Sequence, residues 1–338
     1  MSGNVTIEAV AYALAPYKIT SEYLEDQISD TMERLGFPKG QLERLTGIRE
    51  RRFWDADLMP SEIATMAARK VLDITGIDPQ KIGCLINSSV CKDYIEPSVA
   101  CLVHGNLKLS PRCINYDIGN ACLGFVNAMD TMILMIEAGM IDYGLVVDGE
   151  TSREVVETTI KRLQAPDVSI KTFRDNYATL TLGSGGAAML VCRKDLSQTG
   201  HVINGSVNVA ATQYNRLCLG QRDEMVSDPH ALMLGGIELA ATTWKCADEK
   251  FQDWDDENIS LYAAHQVSLR HMQALAQALD ISLEKMHLNL STQGNVGPAA
   301  LPIVLAMAEE EGRIKPGDHV ALMGIGSGLN CAMMSVSW

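Results

Sequence analysis

The chain has 338 residues, 47% of them hydrophobic and 21% charged, which is enough for one large α/β domain or two modest ones and too apolar for disorder. Lys+Arg 28 against Asp+Glu 42 leaves a net charge of −14, arguing against nucleic acid or an anionic membrane as main partner, although a local basic patch could still hold one phosphate ligand. The nine cysteines are odd in number, form no CxxC pair and sit mostly among apolar residues, a pattern of reduced thiols in a cytoplasmic protein.

In chain order, the first apolar run, Val5 to Val10, contains Glu8 and follows no basic residue, so it does not read as a secretory signal. Arg44, Arg49, Arg51 and Arg52 beside Trp54 form a basic run; on so acidic a chain it reads as a site for a nucleotide phosphate rather than merely a solvated face. The runs Cys84 to Val90 and Arg112 to Asn120 are strand-like, and the second ends in Gly119-Asn120. The following segment, Ala121 to Ala138, is apolar nearly all round and reads as a helix inside the molecule. Cys122 falls in its expected first turn, where the helix dipole and free N–H groups favour a thiolate nucleophile; the other eight cysteines read as small core residues.

Gly144 to Gly149 is a third strand, and the polar insertion Thr151 to Asn176 reads as a cap or a dimer element. The halves are divided near Ser197, as 1–196 and 197–338. In the second half a strand from Ile259 delivers His265 at its end, a strand-like run His287 to Asn295 again ends in Gly-Asn, and a helix is expected from Ala299 to Glu311. No histidine or cysteine pair has metal-ligand spacing. Val320 to Trp338 is uncharged but interrupted by Gly324, Gly326 and Gly328, so it reads as strand, turn and strand rather than a membrane span. Strands also follow Gly183-Ser184-Gly185-Gly186, whereas a dinucleotide loop requires a helix there; both glycine clusters read as close-approach turns, the second also as an oxyanion donor.

The halves repeat each other at one offset: Arg112–Asn120 lies over His287–Asn295, Cys84–Val90 over Ile259–His265, and Gly144–Gly149 over His319–Gly324. Each copy reads strand, helix, strand, helix, strand around a mainly parallel sheet, whose sites collect at the carboxyl ends of the strands. Cys122, His265 and Asn295 therefore converge on one pocket.

This constellation resembles the thiolase superfamily, over essentially the whole chain, which implies a five-layered αβαβα fold from two fused, pseudo-equivalent βαβαβ halves. Cys122, His265 and Asn295 match the Cys-His-Asn set of the 3-ketoacyl-ACP synthase III branch, and Gly47-Ile48-Arg49-Glu50-Arg51 matches its motif near the cofactor entrance. Lys92-Asp93-Tyr94-Ile95-Glu96-Pro97-Ser98, Val146 to Thr151 and Gly324 to Cys331 look like the OleA type, which condenses acyl-CoA molecules head to head in long-chain olefin and β-lactone biosynthesis.

The resemblance implies a cytoplasmic homodimer acting on coenzyme A thioesters with no permanently bound cofactor. CoA would meet Arg49, Arg51, Arg52 and Trp54, and downstream enzymes of the same lipid pathway are implied as partners. Cys122 would take the first acyl group, with backbone N–H groups of Cys122 and Ser327 holding the oxyanion. His265 and Asn295 would bind the second thioester carbonyl, and Glu96, on a loop crossing from the other subunit, would remove its α-proton. A decarboxylating synthase fed by malonyl-ACP needs no such base. That enzyme is the nearest alternative; a hydroxymethylglutaryl-CoA-synthase-like enzyme and a non-catalytic carrier-binding module are more distant ones.

Overall fold

A computed structural model describes residues 3–338. Nine strands form one mixed sheet, five in the first half and four in the second, which repeats the order of the first without a counterpart of its edge strand. In the first half Ile114–Asp117, Cys84–Asn87 and Tyr143–Glu150 run parallel, followed by Gly185–Arg193 and Val5–Leu14 antiparallel. In the second half Ile259–Ala264 runs parallel to His319–Gly326, followed by Asn330–Ser337 and His201–Ala210. The halves meet antiparallel only at Thr6↔Val202 and Ile7↔His201.

Beyond that seam the sheets enclose two helices, Gly124–Glu137 and Ala300–Glu310. Both are apolar nearly all round because each faces strands on more than one side, and their side chains share one core with residues of both sheets. Helices Pro60–Thr75 and Val99–Leu107 cover the outer face of the first half, and Pro229–Lys250 and Leu269–Leu279 that of the second. The result is the five-layered αβαβα arrangement.

The insertion after Glu150 folds into helices Arg153–Leu163 and Ile170–Tyr177, which bury Val156, Ile160, Leu163 and Phe173 against Leu24, Ile28, Met32 and Phe53. The final uncharged stretch is a hairpin with Gly326 opposite Asn330. Among the described residues no helix is long and apolar enough to cross a membrane.

Two expected elements differ. The helix after Asn120 begins at Gly124, so Cys122 precedes it instead of occupying its first turn. His287–Asn295 is not a strand: isolated bridges join Met286 just before it to Tyr262 and Asn295 at its end to Leu182, and Leu290–Gln293 is a helical turn. The buried Gln266 side chain explains the difference. It donates to the His287 carbonyl at 2.7 Å and accepts from the Asn289 and Leu290 N–H groups at 3.1 Å, satisfying backbone groups that a sheet ladder would otherwise pair.

Candidate active site

The corner carrying Cys122 is set by its neighbours. Ala121, immediately before it, has φ 46°, a left-handed conformation that costs a non-glycine residue roughly 1–2 kcal/mol. Surrounding bonds hold it there. The Asn120 side chain donates to Asn127 at 2.7 Å and accepts from Asn330 at 3.3 Å, and the Leu123 N–H donates to the Asn120 carbonyl at 3.0 Å. The hairpin arm presses on the same corner: a Cβ added at Gly326 would lie 2.9 Å from both the Asn120 carbonyl oxygen and the Leu123 nitrogen. Only glycine permits that approach, and it brings the hairpin arm that leads into Ser327 against the corner carrying Cys122.

Asn295 is fixed by a pair of glycines, Gly183 and Gly294. Its N–H donates to the Thr181 carbonyl at 2.9 Å, and its own carbonyl accepts from Gly183 at 2.8 Å. A Cβ at Gly183 would fall 1.9 Å from the Gln293 carbonyl oxygen, and one at Gly294 would fall 2.7 Å from the Thr181 carbonyl oxygen. The Gly183–Gly186 cluster is thus a close-approach turn whose consequence is the position of Asn295. The Asn295 Oδ1 accepts from the Gly297 N–H at 3.0 Å, leaving its Nδ2 hydrogens to donate elsewhere.

Gly297 also connects Asn295 to His265. The Gly297 backbone lies beside the buried His265 ring, and the His265 backbone N–H donates to the Met323 carbonyl at 2.9 Å, extending the parallel strand pairing to the histidine. Burial, and after it the neighbouring His271, pulls the His265 imidazole down to about 4, so it is neutral at physiological pH. Its Nδ1 has no partner among the described residues. Neutral His265 and the Asn295 amide are together suited to donate hydrogen bonds to one carbonyl oxygen.

Across Gly297 lies Glu150, whose carboxyl carbon would be 3.6 Å from a Cβ at that position. Glu150 accepts from the Val90 N–H at 2.6 Å and the Cys91 N–H at 3.3 Å; its neighbour Asp148 accepts from the Ser88 hydroxyl. Burial raises both carboxyls, that of Asp148 most strongly, where the charge of the adjacent Glu150 adds to the effect. Burial, followed by the facing Glu150, likewise pushes the Cys122 thiol up to about 12. The expected resting thiolate is therefore corrected: the helix end is present, but desolvation and the facing carboxyl outweigh it. Neither Asp148 nor Glu150 is singled out by the sequence reading; the available signal is two acids inside a wholly buried strand.

Glu96 is in a different setting. It lies exposed on the loop between Asn87 and Val99, and the adjacent Ile95 is 101% exposed. Of the expected phosphate site, Arg51 and Trp54 are corrected. Arg51 is fully buried, donating to the Ile19 carbonyl at 3.1 Å and the Ser21 hydroxyl at 3.0 Å, and Trp54 lies in the outer core of the first half. Arg52 is half-buried and reaches the Ala15 carbonyl at 3.4 Å, leaving Arg49 as the exposed cation of the four. The strand pairing Tyr17–Thr20 with Glu50–Phe53 turns alternate residues inward, which a charge count along the sequence does not reveal. No group of three or more His, Cys, Asp or Glu able to hold a metal occurs among the described residues.

Two family descriptions match the chain: 3-oxoacyl-[acyl-carrier-protein (ACP)] synthase III over residues 116–208, and the C-terminal part of the same family over residues 250–338. An acyl-CoA:acyl-CoA alkyltransferase of Xanthomonas campestris pv. campestris is 44% identical over 335 residues, 99% of each chain. One of Shewanella oneidensis is 36% identical over 350 residues, again 99% of each. A β-ketoacyl-[acyl-carrier-protein] synthase III of Natranaerobius thermophilus is 28% identical, covering 87% of this chain and 89% of that one.

Cerulenin-bound Xanthomonas campestris OleA superimposes with a TM-score of 0.97 at 44% identity, covering 99% of this chain and 97% of that one. A Cys-to-Ser variant of that OleA, with bound lauric acid and lauroyl-CoA, gives the same TM-score and identity, covering 99% of each. The fold and the strand-end cysteine therefore define a thiolase-fold acyltransferase of the 3-oxoacyl-ACP synthase III kind. Within that class, the chain belongs to the acyl-CoA:acyl-CoA alkyltransferase family, the OleA type.

Proposed function

We propose that the protein joins two fatty acyl-CoA molecules by a Claisen condensation that releases no carbon dioxide. In the first half-reaction the Cys122 sulfur attacks one thioester, the N–H groups of Cys122 and Ser327 hold the oxyanion, and CoA leaves with the thiol proton. A second acyl-CoA then enters, and His265 and Asn295 hydrogen-bond its thioester oxygen. Glu96 takes its α-proton, and the enolate carbon attacks the Cys122 acyl group, expelling the Cys122 sulfur. The product is a β-ketoacyl-CoA, or the β-keto acid after hydrolysis.

The observation that carries this reading is Glu96, a carboxylate held on a structured loop yet exposed in the single chain, in a protein similar along its whole length to acyl-CoA:acyl-CoA alkyltransferases. Its setting supports a homodimer. Ile114–Asp117 is an edge strand with Ile114 exposed, and Tyr94 and Ile95 project beside Glu96, apolar surface that a second copy would cover while receiving the carboxylate. Arg49 is suited to meet a CoA phosphate: its N–H donates to the Ser291 carbonyl at 3.0 Å, placing it beside the Asn295 segment. The nine free cysteines support a reducing, cytoplasmic setting.

The test is incubation with myristoyl-CoA alone, followed by heating to decarboxylate any β-keto acid. A long-chain ketone is expected. Condensation that occurs only when a malonyl thioester is added would establish the decarboxylating reaction instead.

A further inference from the structure

Asp117 ends the edge strand of the first half, and its side chain is only 10% exposed. Its carboxylate accepts four hydrogen bonds, as many as its lone pairs allow. Oδ2 accepts from the Lys92 ammonium at 3.0 Å and the Val99 N–H at 3.2 Å. Oδ1 accepts from the Ala100 N–H at 2.9 Å and the Asn87 amide at 3.3 Å. Lys92 opens the Glu96 loop, and Val99 and Ala100 are the first residues of the helix that closes it. One carboxylate therefore fastens both ends of that loop. From Asp117 the chain continues through Ile118, whose N–H donates to the Asn87 carbonyl at 2.8 Å, to the Cys122 corner.

The remaining anchors lie just inside the same ends. Buried Asp93 accepts from the Ser61 N–H at 2.9 Å and its hydroxyl at 2.6 Å, and Ser98 caps the helix by accepting from the Cys101 N–H at 3.1 Å. What projects between them is Tyr94-Ile95-Glu96-Pro97. A general base on so short a projection has its reach set by where the two ends are held, and a displacement of about 1 Å can cost about 10²-fold in rate.

We propose that Asp117 is a positioning residue for condensation: by clamping both ends of the Glu96 loop to the strand that leads to Cys122, it sets where the base meets the α-carbon. The proposal rests on the reading of Glu96 as that base. The Lys92 contribution is the weaker part, since that ion pair is solvent-exposed on the lysine side; the two backbone donors on the helix end carry more of the clamp. Asp117→Asn keeps the shape but turns one oxygen into an NH₂ group facing N–H donors.

The experiment is a double-mutant cycle on the dimeric enzyme with myristoyl-CoA: Asp117→Asn, Glu96→Gln and the double variant, with first-turnover CoA release and condensation product measured separately. Asp117→Asn should release CoA at a near-wild-type rate in the first turnover and condense about 10- to 100-fold more slowly. In the Glu96→Gln background the same substitution should change residual condensation less than about twofold, because its effect runs through Glu96; a general loss of structure would instead multiply.

Lys92→Met, which leaves the strand untouched, should show a smaller loss with the same dependence on Glu96 and serves if Asp117→Asn folds poorly. Wild-type condensation by Asp117→Asn alongside an impaired Glu96→Gln would overturn the clamp alone. An equal fold-loss in both backgrounds would do the same. Wild-type condensation by Glu96→Gln would overturn the base reading, and the clamp with it.

Discussion

Replacing His265 by Gln should change how the protein's stability responds to acid. In the folded chain the imidazole is pulled from 6.5 down to about 4 by burial and by His271. Between those values the unfolded chain binds a proton that the native state refuses. Stability is therefore lost as pH falls through 6.5, and the loss levels off below about 4. One site with those limits removes about 2 kcal/mol between pH 7 and pH 5, and about 3 kcal/mol by pH 4. Gln carries no titrating group, so the variant should be flatter by that amount, whatever it loses uniformly in packing. Urea unfolding at fixed protein concentration, repeated from pH 7 to pH 5, measures the difference. Some acid sensitivity should remain, since burial also lowers His271, His201, His287 and His319. Parallel stability curves for wild type and variant over this range would refute the assignment of His265 as a buried neutral imidazole.

Two further outcomes follow from the site. Arg51→Ala should destabilise the fold by about 3 kcal/mol, because it removes a buried guanidinium and strands its acceptors, whereas Arg49→Ala should raise the acyl-CoA KM several-fold with an unchanged melting temperature; thermal melts and steady-state kinetics separate the two. Iodoacetamide should label Cys122 slowly at neutral pH and faster as pH rises past 9, since burial and Glu150 hold the thiol protonated; rapid labelling below pH 7, followed by mass spectrometry, would show that the helix end prevails.

Much of the architecture is legible because the signals are local and occur twice. The glycine-interrupted C-terminal run, the all-apolar helices and the repeat each depend on residues close in sequence, and they lead to the strand order found in both halves. Of the candidate site, the placement of Cys122 and His265 beyond strand ends is legible, whereas Asn295 follows a helical turn instead of the expected strand. What stays hidden is set by partners far along the chain. Gln266 supplies hydrogen bonds that hold His287–Leu290 out of the sheet, and Asp148 and Glu150 reach Cys122 only because Tyr143–Glu150 lies beside Cys84–Asn87. Arg51 appears cationic and exposed in a count of charges, but its strand turns it into the interior. Asp117 reads as an ordinary strand residue until its four donors, from Asn87, Lys92, Val99 and Ala100, are seen together.

The central claim, that two acyl-CoA molecules are joined through a base and not through decarboxylation, is tested most directly by rapid quench of Glu96→Gln with myristoyl-CoA. Gln keeps the shape and one oxygen of the carboxylate but cannot take the α-proton, while attack by Cys122 does not depend on that group. CoA should be released once at the wild-type rate, intact-mass measurement should show an acyl group accumulating on Cys122, and condensation should fall by about 10²- to 10⁴-fold. Wild-type condensation by Glu96→Gln, with no accumulated acyl-enzyme, would contradict the account.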